Sequence, residues 1–176
     1  MILSRFRRGT SPGTISTLYG MIVAQARTAT FYRDCAVEDT VNGRFELLVL
    51  HVALVIDRLF ADEGLKALGQ GLFDRFCQDL DHNLREMGVG DLKVPAEMRR
   101  MGEAYYGRAQ AYRAALAADD GQALVEAVAR NVYGGTHVAA AGRLAAYIRA
   151  VAAALKGQDG LAAGTVRFPD PTLIPG

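Results

Sequence analysis

An all-α fold, built as a single globular bundle of five to seven helices, is what this sequence predicts. Three observations carry that expectation. Apolar residues recur at spacings of three and four through most of the chain, no useful stretch alternates with the period of a strand, and glycine, proline or Asp-Gly falls where each periodic stretch stops. With 176 residues, 51% of them hydrophobic and 22% charged, the chain can bury one core without help from disulfides or metal.

Residues 1–13 are polar, carry Gly9, Pro12 and Gly13, and are expected to form a flexible N-terminal arm. Thr14 or Ser16 is placed to cap a first helix running to about Asp34, with Leu18, Ile22 and Ala26 on its apolar side. Asn42-Gly43 marks a break before a second helix of about residues 43–62, apolar nearly all round and therefore expected at the centre. Leu65, Leu68, Leu72, Phe76, Leu80, Leu84 and Met87 draw one clean stripe along a third helix. Gly88 suits the left-handed residue that ends it, and Pro95 suits the first turn of a fourth helix reaching about Ala118. Asp119-Asp120-Gly121 then introduces a fifth helix, Gly134-Gly135 ends it, and Thr136 is expected to cap a sixth. The helical domain is thus expected over residues 14–156. An irregular tail over 157–176 follows, where Gly and Pro dominate.

Composition narrows the function. A net charge of +1 argues against a broad nucleic-acid footprint, so no DNA partner is expected. The 17 arginines against three lysines are read mainly as a compositional bias, each remaining a good partner for a carboxylate. Cys35 and Cys77 show no metal or redox spacing and fit buried thiols in a reducing compartment. The longest apolar run, Phe45 to Ile56, is interrupted by Glu46 and His51 and is too short to span a bilayer. A soluble, cytoplasmic chain is expected. Its start, Ile2-Leu3-Ser4-Arg5-Phe6-Arg7-Arg8, is read as disordered, with contact to an anionic membrane or to ribosomal RNA as the second reading.

Enzyme signals fail one by one. Asp79 to Gly90 opens like a calcium loop but has Leu84 where glycine belongs and Gly90 where a bidentate Glu belongs. Gly69-Gln70-Gly71 and Gly88-Val89-Gly90 lack the context of a dinucleotide loop. His51, His82 and His137 lie too far apart to share one helix face, and there is no nucleophile elbow. No enzyme, cofactor or metal is therefore expected.

Three constellations stand out instead. On the central helix Arg44, His51 and Arg58 fall on one line and Glu46 and Asp57 on another roughly opposite. Buried charges need partners, so Glu46 and Asp57 are expected to pair with arginines of neighbouring helices, with a polar groove as the other reading. In Tyr105-Tyr106-Gly107-Arg108, Tyr105 belongs to the core stripe while Tyr106 and Arg108 project elsewhere. A glycine in mid-helix there suggests close packing of another backbone. The connection Leu84 to Pro95 carries Arg85, Glu86 and Asp91 beyond what a plain turn requires.

Three blocks together resemble the ubiquinol–cytochrome c chaperone family, the assembly factors of the cytochrome bc1 complex. They are Leu18-Tyr19-Gly20 to Tyr32, Asn42-Gly43-Arg44-Phe45-Glu46 to Leu59, and Leu84-Arg85-Glu86-Met87-Gly88-Val89-Gly90-Asp91 with Tyr105-Tyr106-Gly107-Arg108. The likeness spans about residues 14–150, and in form it looks bacterial. It implies an all-helical, non-enzymatic chaperone that binds cytochrome b or its nascent chain, with a small helper protein and the ribosome as further partners and peripheral contact at the bacterial inner membrane. Arg44, Glu46, Arg85, Glu86, Asp91, Tyr106 and Arg108 are the expected partner-binding residues. The competing expectations are a haem- or quinone-binding protein using the space around His51, and an enzyme assembled from Glu46, Asp57 and Tyr106.

Overall fold

A computed structural model describes residues 11–118 and 120–174. Among them run seven α-helices and no strand: α1 (Pro12–Ala26), α2 (Ala29–Arg33), α3 (Val41–Phe60), α4 (Lys66–Glu86), α5 (Val94–Ala117), α6 (Gly121–Val132) and α7 (Val138–Lys156). The arm expected over residues 1–13 falls almost wholly outside the described residues.

The ends of the helices follow their side chains, with four departures from expectation. Ser11, ahead of Thr14 and Ser16, caps α1 by accepting the Thr14 N–H at 3.1 Å, so the helix starts at Pro12. The expected helix to Asp34 is two helices. Thr28 is extended, and the Tyr32 hydroxyl donates to the Ala26 carbonyl across the bend at 3.0 Å. Asn42-Gly43 is inside α3, whose cap is Thr40, accepting the Gly43 N–H at 3.1 Å. Gly43 is required there because a Cβ would stand 2.0 Å from the Glu38 carbonyl oxygen, where the preceding loop folds back on the first turn. At α7 the capping position belongs to His137 in left-handed geometry (φ 54°), while the Thr136 hydroxyl donates to the Tyr133 carbonyl instead of capping.

The central helix is central. Packed against α1, α4, α5, α6 and α7, α3 buries Leu47, Val49, Leu50, Val52, Val55 and Leu59 completely. The C-terminal tail is largely irregular, yet it completes this core: Leu161 and Val166 are buried, and the Phe168 ring stands edge-on to the His51 ring at a centroid distance of 5.4 Å.

His51 is the polar heart of that core and is wholly inaccessible. Its Nδ1–H donates to the Leu47 carbonyl at 2.7 Å. Its Nε2 accepts from the Tyr147 hydroxyl at 2.9 Å, and the Tyr147 oxygen accepts in turn from the Gln25 amide at 2.9 Å. This chain is complete with a neutral imidazole and leaves a proton on Nε2 without an acceptor, so burial pushes the histidine down to about 4. Phe31, Tyr147 and Phe168 fill the space around the ring, so His51 offers neither a free nitrogen nor room for a haem or quinone.

The folded value lies below that of the unfolded chain, so His51 stabilises the fold above about pH 6.5, and this contribution is lost as pH falls towards 4. The loss amounts to about 3 kcal/mol. Urea denaturation at successive pH values should show the midpoint falling across this window, with a shallower fall in His51→Gln.

Candidate functional groove

At one end of the bundle the helices part. The ladder of α4 closes in a Schellman motif: the Val89 N–H reaches the Leu84 carbonyl and the Gly88 N–H the Arg85 carbonyl, each at 3.0 Å, with Gly88 at φ +81°. This turns the chain away and leaves Met87 half in solvent at 52% exposure. Opposite stands the first turn of α3, with Val41 67% exposed and Phe45 half-buried one turn on. Met101 of α5 forms the third side. Between them lie two adjoining hollows of about 770 and 310 Å³ that share Val41, Phe45, Met87 and Met101.

The larger hollow has an ionic floor. Arg108 forks onto Glu46 through Nε and Nη2, both at 2.5 Å, while its Nη1 donates to the Ala104 carbonyl at 3.2 Å. Glu46 is buried at 1% exposure and its partner keeps 24%, so the guanidinium is the part that faces the groove. The carboxylate beside it raises the Arg108 value further, and the cation is permanent. Lys93, Glu97 and Arg100 edge this hollow; Arg27, Arg44, Asp79 and Glu86 edge the smaller one.

Four of the seven expected partner-binding residues therefore meet at one place. Glu46 and Arg108 form the floor. Arg44 stands on the rim, paired with Asp39 at 2.7 Å, and Glu86 stands across from it, 3.1 Å from His82 Nε2. Arg85 and Asp91 line neither hollow. Arg85 bonds both Asp81, at 2.7 Å, and Asp91, and so clamps the turn that follows α4. Tyr106 lines a separate hollow of about 320 Å³ with Phe60, Phe73 and Arg113.

The expectation that arginines of a neighbouring helix would answer both acids of α3 holds, and α5 supplies both. Arg113 takes Asp57 with its Nε at 3.1 Å and its Nη2 closer still. With Glu46 and Asp57 so engaged and Tyr106 elsewhere, the three do not assemble a catalytic site. The close backbone packing inferred from Gly107 is also absent: Gly107 is exposed, and a Cβ there would meet nothing within 4 Å.

Sequence reasoning missed the apolar walls. Val41 looked like part of a loop before Asn42-Gly43. Met87 and Met101 sat in register with core stripes, where nothing in the spacing tells the last buried residue from the first exposed one.

An apolar groove with a charged rim is thus set into an all-helical frame. Comparison with known proteins makes this specific. The family described as ubiquinol-cytochrome C chaperone matches residues 33–168, and the chain belongs to it. The crystal structure of the Cbp3 homolog from Brucella abortus is similar at 39% sequence identity and a TM-score of 0.87, over 99% of this chain and 100% of that one. No curated protein matches the chain.

Two outcomes test the local energetics. Arg108→Ala strands the Glu46 carboxylate and should lower unfolding stability by about 3 kcal/mol or more, whereas Glu46→Leu with Arg108→Leu should come close to wild type. Gly107→Ala should raise stability by about 1 kcal/mol, since the new methyl meets no neighbour and the helix gains its ordinary propensity. Chemical denaturation of the purified variants reads both.

Proposed function

We propose that this chain is a non-enzymatic assembly chaperone of the cytochrome bc1 complex, and that it holds newly made cytochrome b through the groove between α3, α4 and α5. The observation that carries this reading is the clustering of Val41, Phe45, Met87 and Met101 in one open groove on a member of this family. Each is apolar; Val41 and Met87 are exposed, and Phe45 and Met101 are half-buried against the core.

The mechanism is shielding without covalent chemistry. An apolar segment of the client covers the groove and is removed from water, gaining about 25 cal/mol per Å² of apolar area buried. Unbranched methionine side chains adapt to segments of differing shape, which suits a chaperone that must release its client as well as hold it. The charged rim sets orientation, and its exposed pairs form and break at little cost. Among the described residues no helix is long and apolar enough to cross a membrane, so in this reading the client supplies the spanning segments. The chaperone works from the cytoplasmic side, peripheral to the bacterial inner membrane.

Loss of the gene should lower cytochrome b levels and bc1 activity, and both should return with the wild-type chain. Met87→Glu or Val41→Glu should weaken client binding about tenfold or more, the equivalent of one buried apolar side chain. Leu92→Glu is the matched control, because Leu92 is 98% exposed and lines neither hollow. Co-purification of cytochrome b with each tagged variant is the measurement. Unchanged cytochrome b after gene deletion would sink the proposal.

A further inference from the structure

The groove continues past its apolar walls. Through Arg27 and Arg44 the smaller hollow opens into another of about 620 Å³, lined by Arg27, Arg33 and Arg44 with Tyr32, Ala29 and Asp39. Two of the three cations have carboxylates of their own. Arg33 forks onto Asp34 through two bonds of 2.8 Å, and Arg44 holds Asp39 with side chains that are 61% and 56% exposed. Arg27, exposed at the end of α1, has no ion-pair partner among the described residues. The acids on the far wall belong to α4, where Asp79 already accepts the Tyr19 hydroxyl at 2.8 Å. The smaller hollow is therefore polarised: positive towards α1 and the start of α3, negative towards α4.

Resting on the reading of the groove as the client site, we infer that this arginine hollow recognises carboxylates of the client. The occupant is an apolar segment with acidic residues directly beyond one end, lying with that end against Arg27 and Arg44. A guanidinium fork matches a carboxylate in two parallel hydrogen bonds, which gives direction as well as attraction. The exposed Arg44–Asp39 pair is weak enough to exchange Asp39 for an incoming acid. Because the two hollows share Arg27 and Arg44 as walls, the acids must follow the apolar anchors closely along the segment. The arginines then select which segment enters and which way round it lies, while the apolar walls supply most of the affinity.

The test uses the full chain and two fluorescent, C-terminally amidated peptides that share a Leu-, Phe- and Val-rich stretch and end in paired Glu or paired Lys. Anisotropy at low salt should show the Glu-ended peptide binding about five- to tenfold tighter, the scale of two exposed ion pairs, with the preference shrinking at molar salt. Arg27→Glu, which breaks no ion pair of the fold, should cut the preference, and adding Arg44→Glu should invert it. Equal affinity of the two peptides for the wild-type chain overturns the inference and leaves the groove reading standing. Failure of both peptides to bind overturns the groove reading and this inference with it. Binding to vesicles of phosphatidylcholine and phosphatidylglycerol that Arg27→Glu abolishes, with no preference between peptides, overturns it in favour of a lipid headgroup.

Discussion

Immersing α3 on every side places the heaviest demand on this molecule, because the helix that must be surrounded carries Glu46, His51, Asp57 and Arg58. Each has to be met by something that arrives from elsewhere in the chain. Arg108 and Arg113 of α5 take the two acids, Tyr147 of α7 takes the imidazole, and the Leu155 carbonyl accepts the Arg58 Nε at 3.1 Å. A single unanswered charge in the interior costs several kcal/mol, a large part of the 5–15 kcal/mol that holds a typical domain together. The polar side chains of one helix thus fix the register of two others. The apolar contacts around them are non-directional and could not do so alone.

The groove follows from the same immersion. Five helices cover the body of α3, but its first turn projects towards the loop that packs on Gly43, and the Schellman turn takes the chain off α4 just where α5 has yet to begin. Apolar residues that continue the inner faces of these helices therefore come out into solvent. The ionic floor beneath them keeps the groove open: a buried fork between Glu46 and Arg108 resists the collapse that an all-apolar gap of that size would invite.

Much of this was legible in the sequence, and the illegible parts share a cause. Helix stripes, the end of α4 at Gly88, the break at Asp120-Gly121 before α6 and the central place of α3 all follow from rules that act within one or two turns. The pairing of Glu46 and Asp57 was legible as a need, since burial of charge demands a partner, though not which arginines would answer. Thr28, Thr136 and Gly107 were misread because neither apolar spacing nor capping preference fixes them: the Tyr32 hydroxyl returns to the Ala26 carbonyl, the Thr136 hydroxyl donates to the Tyr133 carbonyl, and the side of α5 at Gly107 is open. The Arg85–Asp91 connection was conspicuous as a motif but is bound up with its own turn. The groove walls were inconspicuous because their residue types are those of a core.

The network around His51 has a kinetic consequence. Gln25 meets Tyr147 from 122 positions away, His51 meets the same hydroxyl from 96, and the last ring laid on the imidazole is Phe168. Synthesis runs from the N-terminus, so the early helices can collapse on one another long before these partners exist. Until α7 has emerged the imidazole lacks its tyrosine, and until Phe168 has emerged it lacks the ring that seals it. The interior around α3 is thus finished only after residues more than 90 positions downstream of His51 have been made.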